Sequence, residues 1–134
     1  MWSELRRGPR CDSRVRAWFS GLEDDELFLS VLVIGEIRQG IERLRRRDPP
    51  GVGSLERWLA DLVRHHAERI LAVDPAVATE WGRLTGTRSA SVVDVLMAAT
   101  ARVHGLTLAT RNVRDVEWTG VACLNPFEAP ASTR

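Results

Sequence analysis

The stretch Val92 to His104 constrains the fold more than any other, because it is apolar nearly all round and is followed at once by Gly105. A helix without a polar side has to be covered from several directions, as a helix packed on a sheet is, and glycine ends helices by taking the left-handed conformation. The short apolar run Leu106 to Ala109 comes next and reads as a strand. Asp94 is the exception inside the helix, an acid flanked by Val92, Val93, Val95, Leu96 and Met97. In that company it is not wholly solvated and needs a partner.

The same alternation recurs upstream. Val15, Trp18, Phe19 and Leu22 recur at helical spacing after the cap candidate Asp12, which predicts a short helix between Arg10 and Leu22. An acidic turn, Glu23 to Glu26, leads to Leu27–Ser30, read as a strand, with Ser30 offering the cap of the next helix. That helix carries Val33, Ile37, Ile41 and Leu44 on one side and ends in Arg45, Arg46 and Arg47. Asp48-Pro-Pro-Gly-Val-Gly forms a loop, and Ser54 is the expected cap of a helix bearing Leu55, Trp58, Leu59, Leu62 and Val63. Arg69 to Val73 reads as a strand. Asp74-Pro75 then opens a helix carrying Val77, Ala78, Trp81 and Leu84, and Gly86 to Ser91 is a loop. Beyond the strand 106–109 come a polar turn, Thr110 to Asp115, and a further strand, Val121 to Leu124.

Strands alternating with helices predict an α/β fold with a parallel sheet and helices on both faces. A chain of 134 residues fits one domain, taken as 1–127, with 128–134 as a flexible tail. No apolar run approaches the roughly 18 residues of a membrane span and the N-terminus lacks a signal-peptide core, so the expectation is a cytoplasmic protein with no membrane partner. Nineteen basic against 18 acidic residues leave a net charge of +1, which removes any strong global attraction to nucleic acid. Every basic residue is Arg; this suits forked phosphate contacts and equally a GC-rich genome, and we favour the codon explanation. Cys11 and Cys123 are too few for a disulfide framework or a zinc cluster.

In open parallel sheets, ligands collect beyond the carboxyl ends of the strands. That rule selects Glu36 in the helix after the first visible strand, Asp94 at the start of the buried helix and Asp115 in the turn after the third strand. Carboxylates gathered without cations are costly, so such a cluster implies a metal, and oxygen-only donors favour Mg²⁺ or Mn²⁺ over zinc. Each acid also has an ordinary reading: Asp94 as a first-turn residue complementing the helix dipole, Glu36 as an exposed partner of Arg, Asp115 as a turn former. Taken singly, the ordinary reading is the stronger for each. A histidine-based mechanism fits poorly, since His65 and His66 are adjacent and His104 closes a different helix. Neither a Gly-x-Gly-x-x-Gly nor a phosphate-loop pattern is present, which disfavours a nucleotide-binding protein.

The chain resembles the PIN-domain ribonucleases of the VapC toxin type, from bacterial type II toxin–antitoxin systems. The resemblance is carried by Ser3-Glu4-Leu5-Arg6-Arg7, by Leu27 to Ser30 running into Gly35 to Glu42, by Arg69 to Asp74, by Asp94 to Ala101, by His104 to Asp115 and by Asn125-Pro126. It implies a Rossmann-like α/β/α sandwich in which Glu36, Asp94 and Asp115 are catalytic and bind Mg²⁺ or Mn²⁺, with Asn112 as an accessory polar residue. It also implies metal-dependent endoribonuclease activity on RNA, a homodimer, and inhibition by a cognate antitoxin. Arg38 and Arg111 stand where phosphate at the cleft would be met. The run Arg43, Arg45, Arg46 and Arg47 reads chiefly as a solvated helix end.

Relatives open with a strand ending in Asp, in a pattern such as Leu-Leu-Asp-Thr-Asn-Val, and this sequence begins at the equivalent of that Val. The expectation is therefore a chain without the N-terminal strand, holding three of the usual four carboxylates, with sharply reduced or no nuclease activity. The alternative reading is an N-terminally truncated, catalytically inert PIN-like module that binds an antitoxin. A smaller departure is Val116, where the family usually has Phe.

Overall fold

The computed structural model describes residues 26–128. The expected helix between Arg10 and Leu22 and the residues after Glu128 lie outside this range. The chain divides into two compact units, one spanning Leu27–Ala72 and the other running from Val73 onward.

In the first unit, β1 (Leu29–Ser30) leads into α1 (Val31–Arg47), a 3₁₀ turn (Pro49–Gly51), α2 (Val52–His65), a second 3₁₀ turn (Ala67–Arg69) and β2 (Ile70–Leu71). β1 and β2 pair in parallel, Leu29 opposite Ile70 and Ser30 opposite Leu71. The Ser30 hydroxyl accepts the Leu32 N–H at 3.0 Å, the cap expected from the sequence. At the other end of α1, Arg45, Arg46 and Arg47 face the carbonyl pole of the helix, and the Asp48 N–H closes on the Leu44 carbonyl at 2.8 Å.

α2 begins earlier than its sequence signal. Pro49 and Pro50 fix the backbone of a 3₁₀ turn that feeds straight into the helix, so Gly51 is the cap residue and Ser54 lies inside the first turn. At Gly51 a Cβ would come within 2.7 Å of Asp48 Oδ2, a contact that a shift of the exposed Asp48 side chain relieves. Leu29, Ile41, Val52, Leu59 and Leu62 are buried, and α1 packs on α2.

The second unit holds α3 (Pro75–Thr85), α4 (Val92–His104), β3 (Leu108–Ala109), α5 (Val113–Val116), a 3₁₀ turn (Glu117–Thr119) and β4 (Cys123–Leu124). Asp74 Oδ1 accepts the Val77 N–H at 2.9 Å with Pro75 in the first turn, as the Asp-Pro pair predicts. α4 occupies Val92–His104 and ends at Gly105, whose φ of 65° is the left-handed conformation that an L side chain resists. β3 and β4 run parallel, Leu108 opposite Cys123 and Ala109 opposite Leu124.

α4 is the spine of this unit. Val95 and Ala99 join Val77 and Leu84 of α3 in one buried cluster, with Trp81, Ala90, Leu96 and Trp118 packed against it. Ala98 and Ala101 join Val116 and Val121 in a second cluster, against which Leu106, Leu108 and Cys123 pack. Covering a valine or leucine of this kind contributes about 1.5–3 kcal/mol, which is why a helix lacking a polar side is stable here. The strand pairs are two residues long, shorter than the apolar runs of four or five that announced them, because burial of a side chain does not require its backbone to join a ladder. Among the described residues no helix is long and apolar enough to cross a membrane, and Cys123 is a free thiol.

Candidate active site

Asp94 sits in the first turn of α4, half-buried, directly before the fully buried Val95. Ser91 caps this turn, its hydroxyl accepting the Asp94 N–H at 3.4 Å. The cap fixes the backbone from which the Asp94 carboxylate projects.

Asp115 lies in α5, so the turn expected over 110–115 is in part a short helix. Its N–H donates to the Asn112 carbonyl at 3.0 Å, and its own carbonyl accepts the Trp118 indole N–H at 2.9 Å. Asn112, at the entry to α5, donates its backbone N–H to Thr110 Oγ1 at 3.0 Å and has an exposed side chain. The Asp115 side chain is exposed while its neighbour Val116 packs into the cluster with Ala98 and Ala101. Asp94 stands one turn before Ala98 on the same side of α4. Ala98 and Val116, the neighbours of the two aspartates on α4 and α5, thus share one buried cluster of a single unit.

The two carboxylates share an electrostatic peculiarity. Glu42, Glu56, Asp61 and Glu80 each meet an arginine, whereas among the described residues neither Asp94 nor Asp115 enters an ion pair. Glu36 lies in the other unit, exposed on α1. Among the described residues no group of three or more His, Cys, Asp or Glu side chains is gathered as a metal-holding set. The donor chemistry of Asp94 and Asp115 nonetheless suits a hard dication, since Mg²⁺ is commonly held by only one or two carboxylates with water completing the octahedron.

The two candidate phosphate contacts differ. Arg38 is committed within its own unit, its Nη1 lying 3.1 Å from Glu42 Oε2 and 2.5 Å from Glu56 Oε1. The hydrogen bond to Glu56, then that to Glu42, raises the Arg38 pKa above its ordinary value. Arg111, next to Asn112, is exposed and lies 4.0 Å over the Phe127 ring. The histidines keep to structural places: His66 is buried with Nδ1 3.0 Å from the Leu62 carbonyl, and its ring meets that of His65 edge to face at 4.9 Å.

Arg88, and the contacts that Trp118 makes, escaped the sequence reading of the site. The Arg88 guanidinium lies 4.5 Å over the Trp118 ring, and the indole N–H of the same residue holds the Asp115 carbonyl. The spacing Asp-x-x-Trp was the available signal, since three residues on a helical turn place an indole beneath a carbonyl.

Comparison with known proteins agrees with this architecture. The PIN domain family matches residues 2–116. The chain is 31% identical over 124 residues to Toxin FitB of Neisseria gonorrhoeae, covering 89% of this chain and 88% of the relative. Similarity extends to the plasmid stability protein StbB of Pseudomonas syringae pv. tomato (28% over 131 residues, 92% and 91% covered). It extends also to VapC ribonuclease Y4jK of Sinorhizobium fredii (27% over 125 residues, 87% and 86% covered). Among solved structures, FitAcB from Neisseria gonorrhoeae superposes with a TM-score of 0.74 at 28% identity, covering 90% of each chain. FitAB bound to an IR36 DNA fragment gives 0.73 at 25% identity, covering 91% of this chain and 88% of that one.

Proposed function

The chain belongs to the PIN-domain family, with VapC-type toxins among its relatives, and we propose that it is the ribonuclease toxin of a bacterial toxin–antitoxin pair, hydrolysing RNA phosphodiester bonds with a divalent cation. The observation that carries this reading is the pair Asp94 and Asp115, two carboxylates of one unit, on the packed helices α4 and α5, without ion-pair partners among the described residues. Carboxylates left without a cationic side chain are available to a bound cation.

In this account Asp94 is a direct ligand, Asp115 a ligand or the group that orients the attacking water, and Glu36 a further ligand, directly or through water. A bound Mg²⁺ or Mn²⁺ supplies Lewis acidity, making water a better nucleophile and offsetting charge on the phosphate. The reaction adds water across one P–O bond: the water oxygen bonds to phosphorus, the bond to the leaving ribose oxygen breaks, and a proton ends on that oxygen. Asn112 offers an amide to a phosphate oxygen from the lip of α5. Arg111 brings positive charge beside it, and the engagement of Arg38 with two glutamates makes Arg111 the better phosphate contact of the two. The remaining parts of the proposal are a cognate antitoxin as protein partner, a homodimer and a cytoplasmic location; the resemblance to FitAB supports the first.

The test is cleavage of single-stranded RNA by the purified chain with Mn²⁺ or Mg²⁺. Cleavage should stop on addition of EDTA and in Asp94→Asn. Absence of metal-dependent cleavage overturns the nuclease reading.

A further inference from the structure

A groove of about 500 Å³ opens between the end of α3 and the loop before α4, lined by Trp81, Thr85, Thr87, Arg88 and Ser89 among others. It is an open surface depression rather than an enclosed cavity. Its chemistry is one-sided: hydroxyls, an indole and a guanidinium line it, and no carboxylate does. The Arg88 guanidinium carbon lies 4.5 Å over the Trp118 ring, and among the described residues it has no acidic partner. A guanidinium stacked on an aromatic ring keeps its N–H edge available for a forked contact with phosphate.

The groove adjoins the candidate active site by two connections. Its loop runs through Ser91 into the turn that bears Asp94. The ring beneath Arg88 belongs to Trp118, whose indole N–H holds the Asp115 carbonyl. Resting on the nuclease reading above, we propose that this groove holds a nucleotide of the RNA substrate neighbouring the scissile bond, Arg88 taking its phosphate. Arg88 is thereby a substrate-positioning residue additional to the acids.

The experiment is fluorescence anisotropy of a short fluorescein-labelled single-stranded RNA with the full chain in EDTA, where binding is read without cleavage. Arg88→Ala should weaken binding about tenfold and lower the salt dependence of log Kd by about one phosphate contact. Arg57→Ala, an exposed arginine of the other unit, serves as the charge-matched control and should stay within about twofold. If Arg88→Ala binds like that control while the wild type binds and cuts RNA, the groove proposal is overturned and the nuclease reading stands. A change in oligomeric state on Arg88→Ala with RNA affinity unaltered overturns it in favour of an interface between copies. Failure of the wild type both to bind and to cut RNA removes the nuclease reading, and the groove proposal with it.

Discussion

Where α1 meets α2, charge answers charge: Arg38 and Arg45 each contact both Glu42 and Glu56. On α4 and α5 of the other unit, Asp94 and Asp115 have no such answers among the described residues. The first arrangement needs nothing further, and its exposed pairs contribute little to stability because water already solvates both partners. The second leaves two carboxylates without a cationic partner, in the same unit as Arg88, which stacks on Trp118 and has no acidic partner among the described residues. The difference separates charges that finish a fold from charges held ready for something the chain itself does not contain.

The comparison is broken most severely at Asp94. Asp94→Asn should lower metal-dependent RNA cleavage by at least about 100-fold, roughly 2.7 kcal/mol of barrier. Its thermal midpoint should be nearly unchanged, because among the described residues Asp94 has no ion pair to lose. A variant that lost cleavage only by melting would make Asp94 a structural residue.

Next in size is a core test inside the unit whose charges are paired. Leu29 is 1% exposed, so Leu29→Ala should cost about 3 kcal/mol in urea unfolding at unchanged m-value. That loss should exceed the loss from any single ion-pair variant on α1 or α2.

Glu80 sharpens the contrast by giving the second unit a satisfied acid of its own. Its carboxylate receives Arg83 at 2.9 and 2.6 Å and Arg102 at 2.7 Å. Arg102 in turn donates to the Thr119 carbonyl at 3.0 Å. The hydrogen bond from Arg83, then that from Arg102, holds the Glu80 carboxyl down to about 2 from its ordinary 4.5. A depressed carboxyl pKa stabilises the fold above the unfolded value and ceases to as pH falls through the folded one. Glu80→Gln should therefore cost about 1 kcal/mol at neutral pH, and the gap between variant and wild type should close between pH 4.5 and about 2. A gap independent of pH would mean that Glu80 acts by packing alone.

The smallest effect belongs to Glu56. Its carboxyl is held below the ordinary range by Arg38 first, and Arg45 also lowers it, yet Glu56 and both arginines remain in contact with solvent. Glu56→Gln should leave the thermal midpoint nearly where it was, and high salt should erase any remaining difference.

Much of the fold was legible because its punctuation is local. α4 was readable residue for residue, since its apolar pattern begins after Ser91 and stops at a glycine whose φ is positive. The caps Ser30 and Asp74 were legible for the same reason. The start of α2 was not, because a Pro-Pro-Gly 3₁₀ entry looks like a loop until the chain is seen to continue helically through Val52. Of the site, Asp94 announced itself by its apolar neighbours and Asp115 only through its place after a strand. Arg38 looked like a phosphate contact because Glu36 is near in sequence, but Glu56, 18 residues further on, claims its guanidinium. The Arg88–Trp118–Asp115 chain was equally hidden, as it depends on loops 27 to 30 residues apart meeting through tertiary packing.

The central claim is that Asp94 and Asp115 take part in holding one divalent cation, and isothermal titration of Mn²⁺ into the purified chain tests it without any substrate. The account predicts a saturable site whose affinity falls at least about tenfold in Asp94→Asn and again in Asp115→Asn, with Glu56→Gln titrating like the wild type. Equal Mn²⁺ affinity in the wild type and in both aspartate variants would contradict it.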